Sequence, residues 1–210
     1  DSTYTLTIDA DAFDGAALTG QDSLRARLET LRATLDGRGV TPETARFTAT
    51  LHASNAAYGP FELQQARLRS TYTEGRLALD TLQVASNVFT ASGTGTVGLR
   101  GATANSDIAL TADVHSLAPV QELGRVETLA LERGRFTGRL QGAPDALRFS
   151  GQFEGENLMV EGTRIGETEI VTAGALNEAY ALDRMEARTT TRYVNAADIP
   201  INRVQANGTY

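Results

Sequence analysis

Residues 47–53 read FTATLHA, and this heptapeptide decides the fold. Phe47, Ala49, Leu51 and Ala53 alternate with Thr48, Thr50 and His52, so successive side chains change face. A period of two is the mark of a half-buried β-strand and does not suit the 3.6-residue period of a helix. The same rhythm extends in both directions. Towards the N-terminus, Tyr4, Leu6, Ile8 and Ala10 alternate with Thr5, Thr7 and Asp9; towards the C-terminus, Ile108, Leu110, Ala112 and Val114 share one face. Phe136, Gly138 and Leu140 form another such set, as do Leu147, Phe149, Gly151 and Phe153, with polar residues between them. A slip of one residue would turn each apolar face to water, so the repeated alternation specifies one apolar side for the whole array. The predicted class is all-β: an elongated, curved, mostly meandering antiparallel sheet.

With 210 residues, 41% of them hydrophobic, the chain can bury a sizeable apolar surface. Aromatics make up 6%, tryptophan is absent and glycine numbers 20, so the interior is built from Leu, Val, Ile and Ala and is thin, or shallow and repetitive. Without cysteine there is no disulfide framework, thiol chemistry or cysteine metal site. All 19 basic residues are arginine, spread along a chain of net charge -7, which argues against nucleic acid as a partner. No apolar run approaches the roughly 20 residues of a membrane-spanning helix. Asp1 and Tyr210 both read as cuts in a longer polypeptide, leaving residues 1–210 as one continuous β segment.

One segment fits two readings. Leu24, Leu28, Leu31 and Leu35 have helical spacing, with Asp22 or Ser23 as a cap and Gly37 as a stop, giving one short helix near 22–36. The same residues also make two alternating runs, Leu24, Ala26, Leu28 and Leu31, Ala33, Leu35, joined by a bulge; the context of strands favours this second reading. A degenerate repeat links EGRLALDTLQV at 74–84 with EAYALDRMEA at 178–187, where the Leu-Asp pairs 79–80 and 182–183 and the later Leu82 and Met185 match in order.

Motifs with chemical meaning fail in context. Gly93, Gly95 and Gly98 spell GxGxxG, but a strand follows them where a phosphate-binding helix is required; these glycines relieve crowding or allow bends in a sheet. Asp9, Asp11 and Asp14 before Gly15 suggest a calcium loop, yet Phe13 and Gly20 stand where ligands belong, so they read as solvated turn aspartates. His52 and His115 have no ligand partner nearby, and Ser92 and Ser150 lie outside any GxSxG setting. No catalytic residue, metal ligand or cofactor is expected.

The remaining feature is the apolar face itself. It is either the core of a closed sandwich or solenoid, such as an adhesin or spacer, or the lining of an open groove. An enzyme of the β-helix, polysaccharide-processing kind would need clustered carboxylates and aromatics, and the low aromatic content disfavours it. About a dozen strands spaced about 4.8 Å apart give a face on the order of 60 Å long. Alternation alone selects the residues expected to line it: Leu77, Leu79, Leu82, Val84, Phe89, Val97, Leu99, Ile108, Leu110, Val114, Leu129, Leu131, Phe136, Leu140, Leu147, Phe149 and Phe153.

The stretch YTEGRLALDTLQVASNVFTASGTGTVGL at 72–99 resembles a module of the AsmA-like and TamB family of bacterial envelope proteins. DVHSLAPVQELG at 113–124, the glycine-punctuated strands of 134–170 with their Gly-x-Leu-x-Gly step, and LDGRGVTPETARFTATL at 35–51 are similar to that family in style. The resemblance covers most of the chain and rests on rhythm, with no catalytic motif. It implies a half-pipe or β-taco-like groove in an inner-membrane-anchored protein spanning the periplasm of a Gram-negative bacterium. The implied cargo is phospholipid acyl chains, and the implied partner a BamA-like outer-membrane barrel. The anchor helix and a partner-docking domain of that family are not in this sequence.

Overall fold

The computed structural model describes residues 2–14, 26–39, 41, 44–73, 75–99, 105–124, 128–143, 146–177, 181–197 and 199–210. The alternating runs become strands: β1 (Thr3–Asp14), β2 (Ala26–Arg38), β3 (Arg46–Tyr58), β4 (Phe61–Thr73), β5 (Arg76–Ser86), β6 (Phe89–Gly98) and β7 (Ser106–Val114). A helix, α1 (Ala118–Gly124), precedes β8 (Leu129–Ala130), β9 (Arg133–Gly142), β10 (Arg148–Val160), β11 (Thr163–Leu176), β12 (Leu182–Ala196) and β13 (Ile199–Thr209). They form one 13-stranded antiparallel sheet in the order β1-β2-β3-β4-β5-β6-β7-β9-β10-β11-β12-β13, with the short β8 paired to β10. Apart from β8, each described strand neighbours the next along the chain, and β1 and β13 are the outermost described strands.

The sheet is open, with no second sheet packed on it among the described residues, which removes the closed sandwich or solenoid. Its accessible surface of 13630 Å² is large for its mass, as a thin sheet requires. A compact monomer of 22.4 kDa exposes about 9,400 Å². No described side chain is fully buried, and the most enclosed apolar residues, including Tyr72, Leu131 and Val194, keep 6–8% of their surface.

The described part of the ambiguous leucine segment is strand β2; Leu24 and the proposed caps Asp22 and Ser23 lie outside the described residues. The physical reason is a crease near one end of the strands. Ala12 and Asn55 have φ of 55° and 52°, and they flank Glu29 of β2 in one row of the sheet. On both sides of this row the pairing keeps its register, Thr30 with Ser54 and Leu28 with Ala56. A left-handed residue breaks the pleat, so the apolar positions step by three across the row instead of two, from Leu31 to Leu28. Three-residue spacing of leucines therefore mimics a helix without one being present.

The same device recurs on the far side of the sheet at the same strand ends. Asn157 and Tyr193 have φ of 51° and 56°, flanking Gly166 of β11. The burial of β12 records the shift: Thr191 is buried, Arg192 and Tyr193 are exposed, and Val194 is buried again. An asparagine amide binds a glutamate in each crease, Asn55 to Glu29 at 2.7 Å and Asn157 to Glu132. Helix α1 begins where the Ser116 hydroxyl accepts the Ala118 N–H at 3.3 Å, with Pro119 in its first turn, where a missing N–H costs nothing.

The Leu-Asp repeat also has a structural meaning. Ser70 pairs with Leu79 and Arg69 with Thr81, leaving Asp80 as an extra residue; Leu176 pairs with Leu182 and Ala175 with Arg184, leaving Asp183 as another. Both copies are β-bulges with aspartate as the inserted residue. In β5 the Thr71 hydroxyl donates to Asp80 at 2.8 Å. Residues 178–180 of the second copy lie outside the described residues.

Candidate functional site

Register, read across the sheet, assembles the apolar residues into continuous rows. One row runs Leu6, Leu35, Ala49, Ser70, Leu79, Gly95, Ile108, Leu140, Phe149, Gly174 and Met185 from β1 to β12. The next runs Ile8, Ala33, Leu51, Leu68, Leu82, Gly93, Leu110, Gly138, Gly151, Thr172, Ala187 and Gly208. A third carries Leu31, Val84, Phe136, Phe153 and Ile170. Twelve strands at about 4.8 Å make the second row roughly 53 Å long.

Of the residues selected from sequence, thirteen lie in strands of this face: Leu77, Leu79, Leu82 and Val84 on β5, Phe89 and Val97 on β6, Ile108, Leu110 and Val114 on β7, Phe136 and Leu140 on β9, and Phe149 and Phe153 on β10. Leu129 lies in β8 opposite Val160, while Leu131 follows it and is buried against Phe153. Leu147 is buried just before β10. Leu99 stands beyond the end of β6, half exposed, its N–H bound to the Gly75 carbonyl. The selection missed the flanking strands, where Leu6, Leu35, Leu51, Leu68 and Ile170 extend the same rows. Their alternation carries the same signal.

Glycines set the relief of this face. A Cβ at Gly151 would lie 2.8 Å from the Phe136 ring, one at Gly174 would lie 2.5 Å from Phe149, and one at Gly134 would meet Leu131 and Phe153. Each large side chain therefore lies down over a neighbouring strand's glycine, giving a smooth apolar surface where a side chain on every strand would crowd it. Phe47 and Tyr72 stack at 4.8 Å between centroids near the opposite end.

The other face is charged and self-neutralising. Arg32 meets Asp9 at 3.4 Å, Arg135 meets Asp113 at 2.9 Å, Arg139 grips Asp107 at 2.6 and 2.7 Å, and Arg192 meets Glu167 at 3.3 Å. The Arg139 guanidinium holds the Asp107 carboxyl below its ordinary value, and Asp113 raises Arg135. A cleft of about 880 Å³ opens on this face among Arg133, Arg135, Glu154, Glu156, Glu167, Glu169 and Arg192. Its charges are met internally, with Arg133 beside Glu156 at 3.6 Å and the Gln152 amide donating to both Glu154 and Glu169 at 3.0 Å. No group of three potential metal ligands forms among the described residues.

The histidines serve the scaffold. His115 Nε2 lies 3.1 Å from the Ser86 carbonyl, and its backbone N–H binds the Val88 carbonyl, fastening the end of β7 to the β5–β6 turn. His52 sits on the charged face 3.0 Å from the Gln65 amide. Gly93, Gly95 and Gly98 lie within β6, so the glycine triplet is sheet and no helix follows it in the described residues. Asp9 and Asp11 are strand residues of β1, not a loop.

Comparison with protein-family models, curated protein sequences and solved structures finds no match to this chain. The rows of the sheet are therefore the ground for a functional reading.

Proposed function

We propose that this chain is a segment of an AsmA/TamB-like envelope protein whose apolar sheet face carries phospholipid acyl chains. The observation that supports this most is an open sheet face whose largely apolar rows run across as many as twelve strands. At roughly 53 Å a row exceeds the hydrocarbon core of a bilayer, about 30 Å, and monomeric soluble proteins rarely leave so extended an apolar patch in water. Binding of acyl chains needs no polar site, because each methylene removed from water contributes about 0.8 kcal/mol. A smooth floor of flattened rings and glycines holds a chain without fixing its position, which suits a carrier. In this reading the protein works without catalysis in the periplasm of a Gram-negative bacterium, anchored in the inner membrane through other parts of the full-length chain. It moves phospholipid between the membranes, or supports outer-membrane protein assembly with a BamA-like barrel.

Native mass spectrometry with lipid extraction tests this on wild type and a Leu79→Arg, Leu110→Arg double variant. Phospholipid retained by wild type and lost from the folded variant is the expected result. A lipid-free wild type whose variant unfolds would instead make the face a structural core.

A further inference from the structure

One hydroxyl on the apolar face stands unpaired. Thr168 of β11 lies two residues before Ile170 and four before Thr172, so its side chain points to the face that carries the apolar rows. It belongs to an inner strand, paired with Gly155 of β10 on one side and Thr191 of β12 on the other. The residue keeps 5% of its surface, and its Oγ1 is shut off from solvent with no hydrogen-bond partner among the described residues. Buried hydroxyls are as a rule hydrogen-bonded, because a group that gives up its water recovers the loss only through a partner. Left unpaired, Thr168 costs stability that a valine of the same shape would not.

Its surroundings narrow the chemistry of a partner. Leu131 and Phe153 lie over Gly155, the neighbour of Thr168: a Cβ there would sit 3.3 Å from Leu131 Cδ1 and 3.0 Å from the Phe153 ring. Thr191, directly opposite, is 9% exposed, and Thr189 faces Ile170 one row on. None of these side chains is ionisable. A phosphate or an ammonium entering here would surrender its hydration without a counter-ion, whereas a neutral carbonyl oxygen needs only one donor, which a threonine hydroxyl supplies. Turning χ1 between its staggered wells exchanges the hydroxyl with the methyl, so Thr168 can bring its O–H to an acceptor without moving the backbone.

Position along the sheet agrees with this chemistry. From β5 to β10 the three rows hold only Leu, Ile, Val, Phe, Ala and Gly, while across β11 and β12 hydroxyls enter the face at Thr168, Thr172, Thr189 and Thr191. Five strand spacings separate β11 from β5, roughly 24 Å, which exceeds the about 15 Å of half a bilayer's hydrocarbon core.

We propose that Thr168 is a resting point for the ester group of a diacyl phospholipid, its O–H donating to the ester carbonyl oxygen while the acyl chain lies over the apolar rows towards β5. This rests on the acyl-chain reading above and adds one preferred position to it. A single hydrogen bond gives a modest preference, compatible with movement along the face.

Competition between dipalmitoyl phosphatidylethanolamine and its dihexadecyl ether analogue, read by native mass spectrometry, tests it. The two lipids share headgroup and chain length, and the ether lacks the carbonyl. Wild type is expected to retain the ester lipid over the ether about five-fold. Thr168→Val should bring the ratio to about one with ether binding unchanged, and should raise the urea midpoint by removing an unpaired hydroxyl; Thr168→Ser, which keeps the hydroxyl, should keep the ratio. A wild-type ratio near one overturns the proposal and leaves the carrier reading standing. A preference that survives in Thr168→Val also overturns it, as does a lowered urea midpoint, which would show the hydroxyl to be partnered within the protein. Folded wild type that binds neither lipid overturns both this proposal and the carrier reading.

Discussion

At the residue scale, glycine does the shaping. Gly95 has φ of 148°, and a Cβ there would fall 2.1 Å from the Asp107 carbonyl oxygen on the adjacent β7. The atoms it would meet are backbone, which cannot rotate aside. Gly95→Ala is therefore expected to cost about 1–3 kcal/mol in urea unfolding. A second residue-level test concerns the charged face. Asp107 has a folded pKa lowered by Arg139, so its contribution is complete above the ordinary value of 3.8 and is lost as pH falls through the lowered value. Asp107→Asn removes that segment of the acid-unfolding curve and leaves the curve near neutral pH parallel to wild type. The small effect expected of an exposed pair is read as a change of slope.

At the element scale, the creases decide how strands run. Asn157 holds a left-handed conformation that asparagine tolerates and a β-branched residue does not. Asn157→Gly should shift unfolding by less than about 0.5 kcal/mol, while Asn157→Val should cost about 1–2 kcal/mol. Equal effects of both would show that the backbone there is under no such demand. The creases also mark what sequence could deliver. Strand identity was legible wherever alternation ran unbroken, as in Phe47–Ala53 or Ile108–Val114. It became ambiguous at Leu28 and Leu31, because a coordinated break of the pleat on adjacent strands preserves register and changes only the phase within each strand. The Leu-Asp repeat was visible as letters, but its meaning as a pair of bulges depends on which partner residue is skipped, and a single strand does not record that. Helix α1 has no apolar period long enough to announce it; its cap and Pro119 acquire meaning only once β7 ends at Val114.

At the scale of the whole molecule, the apolar rows depend on strand order. Sequence supplied the members from β5 to β10, and the meander joined them to Leu6 on one side and Ile170 on the other. Whether that face was covered could not be read from alternation, since a sandwich core and an open face have the same pattern. The open single sheet answers that point. The central claim, that acyl chains travel on this face, is tested most directly by placing a photo-reactive amino acid at neighbouring positions that point to opposite sides. Leu110 and Leu82 share an apolar row, while Thr111 and Gln83 belong to the charged face. Irradiation in cells followed by mass spectrometry of the protein should give phospholipid adducts at 82 and 110 and none at 83 and 111. Adducts at all four positions, or at none while the protein is folded and abundant, would contradict the claim.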